Sequence, residues 1–321
     1  MKGNYLFWFA VFLLTLIDIY AMTMNALRVR VVSYNVLSSH LASTHQFPTL
    51  NSNHLKAKNR LPEVIKKLDT EVKNKSIICL QEISQDWAGN LLTFFSNQNY
   101  NSVFQGYGKR FNGYMGCMIA WPSDSMNVVD VDISRLSDKR EGGWPIEPKK
   151  GMIGKAIGML STFKEPFVKL GWLSKPPSDH WSMSENRFNI LISVKLEEKK
   201  SGQSFYVSNY HMPCAFYAPM VMSIHAEMAA KYIQKLAQAT PYILAGDWNI
   251  KPNDSTYHLL TTGMMDRGDP SWPTPKFGME WEPTAKPMRS AYAISDHGEP
   301  DFTNYARVKF QEPFIDTLDY M

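Results

Sequence analysis

The run Ile243-Leu244-Ala245-Gly246-Asp247-Trp248-Asn249 limits the fold more than any other stretch of the chain. Its strand-forming residues end abruptly in a glycine, a carboxylate and a carboxamide, as in a buried strand that delivers polar groups to its C-terminal rim. Gly246 lets the backbone turn or approach a ligand closely, and Asp247 and Asn249, two apart, point the same way in extended geometry. Taken alone, Gly-Asp-x-Asn is also ordinary turn chemistry. Its meaning comes from other apolar runs that close the same way.

Arg28 to Val36 is rich in β-branched residues and predicts a first strand with Asn35 at its far end. A buried strand tolerates an asparagine poorly unless something binds it. Ser76 to Glu82 predicts a second strand ending in a carboxylate, and the C-terminal rim of such strands is where α/β proteins bind ligands. Asn189 to Leu196 and Ser204 to His211 predict a hairpin joined by Lys199-Lys200-Ser201-Gly202, with Asn209 and His211 on one face. Further strands are expected over Tyr100–Gln105, Met115–Trp121 and Val128–Ile133. Helical spacing predicts helices over Lys56–Val72, Asp86–Asn97 and Pro219–Ala237, with a short one over Pro252–Leu260 capped by Asn253 or Asp254. Thr261–Met288 reads as loop.

From Arg135 to Ser184 the strand pattern breaks down. Met152, Ile153, Ala156, Ile157, Leu160 and Phe163 recur at helical spacing among lysines, which suits an insertion helix packed on the domain or, alternatively, a basic surface for membrane or nucleic acid. Lys109 and Arg110 occupy a loop as solvated charge or as a phosphate contact.

A chain of 321 residues with 44% apolar and 20% charged residues can bury a full core, and no repeat or linker divides it. The net charge of +4 neither requires nor opposes a phosphate-rich partner. Cys79, Cys117 and Cys214 stand apart as small core residues, so neither a disulfide framework nor a zinc site is expected. Residues 1–26 read as a signal peptide or membrane anchor, with Lys2 before an apolar run from Leu6 to Ile17. Secretory or membrane-associated placement follows if that run is used, and cytoplasmic placement if Met22 or Met24 begins the domain. Asn74-Lys75-Ser76 and Asn253-Asp254-Ser255 are glycosylation sequons that matter only on the secretory route.

Tyr34-Asn35, Leu80-Gln81-Glu82, Asn209-Tyr210-His211-Met212, Gly246-Asp247-Trp248-Asn249 and Leu318-Asp319-Tyr320, in that order, resemble the endonuclease/exonuclease/phosphatase superfamily. Ser290-Ala291-Tyr292, Phe302-Thr303-Asn304-Tyr305 and Phe314 are similar to its nocturnin, Angel and carbon-catabolite-repressor deadenylase branch. The resemblance implies an α/β fold, a four-layer sandwich of two mixed sheets flanked by helices, over residues 27–321. It implies Mg²⁺, with Mn²⁺ as the substitute, held by Glu82 and Asn35. It implies catalysis by Asp247 and Asn249 on water, by His211 on the phosphate and by Asp319, with Phe314 stacked on a base and Asn209 and Asn304 as polar contacts to the nucleotide. The expected substrate is an RNA 3′ end or a nucleotide phosphate, cut by a monomer that needs no obligate protein partner. Two alternatives stay open: a lipid phosphatase or sphingomyelinase-like hydrolase of the same fold, and a binding module without turnover. The family normally continues to a Ser-Asp-His after the Leu-Asp-Tyr strand, so the last strand is expected to be absent. Ser295-Asp296-His297 precedes Asp319 and reads as coincidence.

Overall fold

In the computed structural model, residues 27–108, 114–148 and 179–321 are described. The Leu6–Ile17 run, Lys109 and Arg110, and the amphipathic stretch from Met152 to Phe163 lie outside the described residues.

Two mixed sheets face each other. The first has strands β1 (Val31–Asn35), β2 (Ile77–Gln81), β3 (Tyr100–Tyr107) and β4 (Met115–Pro122) in the order β1-β2-β4-β3. The second has β5 (Met126–Arg135), β6 (Ile190–Glu198), β7 (Ser204–His211), β8 (Tyr242–Asp247) and β11 (Asp319–Tyr320) in the order β11-β8-β7-β6-β5. Strands β9 (Asn304–Ala306) and β10 (Phe314–Asp316) form a separate antiparallel ribbon.

Alternation along the strands explains the layers. Ile78 and Leu80 of β2 and Met118 and Ala120 of β4 join the core made with helices α1 (Ala57–Lys73) and α2 (Gln85–Asn97), which bury Val64, Leu68, Trp87, Leu91 and Phe95. Leu191, Tyr206, Tyr210 and Leu244 of the second sheet pack instead with α4 (Pro219–Ala237), beside the short helices α3 (His180–Glu185) and α5 (Ser255–Thr262). The opposite faces of the strands meet between the sheets. Helix, sheet, sheet and helix give the four layers expected.

The inner layer is partly polar. Asn209 donates to Leu80 O at 2.8 Å and Met118 O at 2.9 Å and accepts from Gln81 Nε2 at 2.8 Å, so one carboxamide ties both sheets together. Buried carbonyls left without such a donor would each be costly.

The parallel pairs set the site. β1 runs with β2, matching Asn35 to Gln81, and β7 runs with β8, matching His211 to Asp247. All four therefore end at one rim. Strand β11, from the Leu318-Asp319-Tyr320 segment, pairs with β8 as a two-residue strand and places Asp319 opposite Asp247. No helix among the described residues is long and apolar enough to cross a membrane. Cys214 is exposed, contrary to the expectation of a core residue, and Asp254 stands at the N-cap of α5 as expected but gives its carboxylate to Lys251 N at 2.8 Å and makes no side-chain capping bond.

Candidate active site

Glu82, His211 and Asp247 are buried together, and one ligand atom from each lies within 4.8 Å of the others. Asn35 stands between the two carboxylates. Its Nδ2 donates to Glu82 Oε1 at 3.0 Å and to Asp247 Oδ2 at 2.8 Å, a bond that spans 212 residues and joins the sheets at their rim. Its Oδ1 accepts from Leu37 N at 2.9 Å. Asn35 thus presents a donor to the cluster in this arrangement, where the sequence led us to expect a ligand oxygen.

The backbone is strained where these groups leave their strands. Leu37, Glu82 and Asn249 have φ of 55°, 58° and 50°, left-handed values that L-residues adopt at a cost and that gather at functional sites. Local bonds hold them. Ser38 N donates to Glu82 Oε2 at 3.1 Å, and Arg60 Nη2 donates to Val36 O at 2.6 Å and Leu37 O at 2.8 Å while its guanidinium lies over the Trp87 ring. Asn249 N donates to Asp247 Oδ1 at 3.0 Å, and Asn249 Nδ2 donates to Met212 O at 3.0 Å. The pair is therefore folded into a turn and not extended, although both side chains stay at the rim. Gly246 has φ of 153°, and a Cβ there would lie 1.8 Å from Tyr210 O.

Burial and neighbouring charge set the electrostatics. Desolvation, with Glu82 nearby, raises the Asp247 carboxyl above the usual range, against the opposing pull of His211 and Asn35. Asp319 is pushed up to about 7, first by burial and then by Asp247. Its Oδ2 accepts from Thr303 Oγ1 at 2.7 Å, while Oδ1 is buried without a partner among the described residues. Three carboxylates share this rim, which makes it a place for a cation. The oxygen-rich donor set of Glu82 and Asp247 fits a hard divalent ion such as Mg²⁺.

Other predicted residues fall elsewhere. Asn209 is fully buried and engaged between the sheets, so it has no polar group left to offer a nucleotide, a correction caused by strand depth. Asn304 and Phe314 sit on the β9–β10 ribbon, where Asn304 Nδ2 donates to Phe314 O at 3.3 Å and the half-exposed Phe314 ring lies 5.9 Å from that of Phe216. Ser295-Asp296-His297 forms an exposed turn closed by its own Ser295 Oγ to Tyr292 O bond at 2.7 Å. Sequence reasoning missed Tyr107, whose hydroxyl shares a 2.5 Å hydrogen bond with His211 Nδ1, and Asn189, whose Nδ2 donates to His211 O at 2.8 Å. The predicted β3 stopped at Gln105, two residues short of that tyrosine. Asp179 caps α3 and pairs with Lys276.

Two mixed sheets with carboxylates, a histidine and asparagines at their shared rim define a phosphoester hydrolase fold, and the chain belongs to the Endonuclease/Exonuclease/phosphatase family, whose model matches residues 32–297. It is similar to the Drosophila melanogaster protein angel, at 22% identity over 281 residues, 84% of this chain and 66% of that protein. The chain thus spans just under two thirds of that relative's length. Among solved structures, it resembles ANGEL2, a 2′,3′-cyclic phosphatase solved with adenosine-2′,3′-vanadate, at TM-score 0.61 and 17% identity, covering 90% of this chain and 81% of the other. It also resembles the human nocturnin catalytic domain with bound sulfate, at TM-score 0.55 and 18% identity, covering 91% and 80%.

Proposed function

We propose that this protein is a divalent-metal-dependent phosphoester hydrolase acting on an RNA 3′ end or a nucleotide phosphate. The observation that carries the reading is the meeting of Glu82, His211 and Asp247 at one buried rim, bridged by Asn35. Glu82, with Asn35 and Asp247 beside it, would hold Mg²⁺ or Mn²⁺, which supplies charge neutralisation for a phosphoryl group. Asp247, lifted in basicity by burial, accepts a proton from water, and Asn249 fixes its carboxylate through the backbone bond to Oδ1. His211 donates to a phosphoryl oxygen, and Phe314 offers a face to a base. Similarity to ANGEL2 adds a terminal 2′,3′-cyclic phosphate to the substrates worth offering.

The test offers the full chain oligoadenylate, the same oligomer ending in a 2′,3′-cyclic phosphate, and a phosphoinositide, each with Mg²⁺ or Mn²⁺ and with EDTA. Metal-dependent release of nucleoside monophosphate or opening of the cyclic phosphate is expected. Turnover of the phosphoinositide alone would move the assignment to lipid phosphatases. Binding without turnover of any of the three would favour the binding module.

A further inference from the structure

Glu82, His211 and Asp247 have the outward form of a three-ligand metal site. We propose that Tyr107 is a positioning residue that keeps the His211 proton on Nε2, so that His211 serves as a hydrogen-bond donor and stays out of the ligand set. The proposal deepens the hydrolase reading above and rests on it for its function, but the protonation pattern itself does not.

The argument is one of hydrogen-bond accounting. Tyr107 closes β3 and is buried, and its hydroxyl lies 2.5 Å from His211 Nδ1, with the two rings edge to face at 77°. Among the described residues Nδ1 is the only hydrogen-bond partner of that hydroxyl. Were Nδ1 to carry the proton and donate, the phenol's own O–H would be left buried without an acceptor, at a cost of roughly 1–3 kcal/mol. With the phenol donating, both groups are satisfied. Burial first, and then the nearby Cys117 thiol and the Glu82 and Asp247 carboxylates, hold the phenol's ionisation far above its usual range, so it keeps the proton it must give.

A neutral imidazole that accepts at Nδ1 carries its hydrogen on Nε2. Nε2 faces the cluster, 3.9 Å from Glu82 Oε1 and 3.8 Å from Asp247 Oδ2. A protonated nitrogen cannot bind a metal. The site is thereby left with oxygen ligands, which select Mg²⁺ or Mn²⁺ over the imidazole-seeking Zn²⁺. The Asn189 bond to the His211 carbonyl holds the same residue from behind.

Long-range ¹H–¹⁵N NMR of the full chain without metal reads the tautomer directly, with His211→Gln assigning the signals. An unprotonated Nδ1 and a protonated Nε2 are expected in the wild type, and a mixture of tautomers in Tyr107→Phe. Calorimetry should then show Zn²⁺ binding at least about 10-fold tighter to Tyr107→Phe than to wild type, with Mg²⁺ binding changed far less. A proton on Nδ1 in the wild type, or identical His211 signals in the two proteins, overturns the proposal. If Tyr107→Phe does not fold, the wild-type spectrum still decides, together with Zn²⁺ titration of wild type against His211→Gln: equal affinities support the proposal, and weaker binding by His211→Gln defeats it. None of these readouts requires turnover, so failure of the hydrolase assignment would be seen separately.

Discussion

The rim and the β9–β10 ribbon are two halves of one proposed site, built in opposite ways. At the rim, Glu82, His211, Asp247 and Asn249 are each no more than 9% exposed, and their side chains are held by Asn35, Ser38 N, Tyr107, Asn249 N and Met212 O. On the ribbon, Phe314, Ile315 and Tyr305 are 39%, 46% and 64% exposed and belong to neither sheet. Groups that must hold charges at fixed separations need a rigid second layer of bonds, whereas an aromatic face that meets a planar base tolerates some play. The rim should therefore fail chemically or structurally when altered, and the ribbon only in affinity.

The largest expected effect breaks the rim's chemistry alone. Asp247→Asn should lower turnover by about 10²–10⁴-fold without lowering the melting temperature, because it removes a carboxylate whose ionisation burial opposes. Steady-state kinetics beside thermal unfolding would show this, and a large loss of stability would contradict it. Asn209→Ala probes the layer beneath. By stripping Leu80 O and Met118 O of their donor it should cost about 1–3 kcal/mol in denaturant unfolding while KM stays unchanged. A raised KM with intact stability would return Asn209 to the substrate.

Phe314→Ala tests the ribbon. Oligonucleotide binding should weaken by roughly 1–3 kcal/mol, with unfolding free energy altered by no more than about 0.5 kcal/mol. The last test reads a slope in pH. Asp319 keeps its proton up to about 7 in the fold, against 3.8 for an ordinary aspartate, so the native state binds the extra proton between those values. Stability from this residue is present at the acid end of that window, falls as pH rises through it, and is level above. Asp319→Asn should flatten that slope in urea titrations repeated across the window.

Much of the rim was legible because strand alternation and abrupt polar ends are local signals. Asn35, Glu82, His211 and Asp247 each close an apolar run, and all four meet. Asn209 shows the limit of the same signal: alternation gives the face on which a side chain lies but not its depth, and two residues along β7 separate an inter-sheet tie from the rim. Asn249 was placed near Asp247 for the wrong local reason, since its left-handed φ depends on bonds to Met212 and Asp247. Tyr107 carried no mark at all. An aromatic residue at a strand end beside glycine is ordinary, and its partner lies 104 residues away.

By itself, the amino-acid sequence determined which segments become strands and helices and which strands end in groups able to bind a phosphoester, because burial period and turn chemistry are written within a few neighbouring residues. Only the packing of one sheet on the other decided that Asn35 bridges Glu82 to Asp247, that Asn209 is spent between the layers, and that a buried phenol faces His211 Nδ1. Those relations are distances between residues far apart in the chain, and no local pattern encodes them.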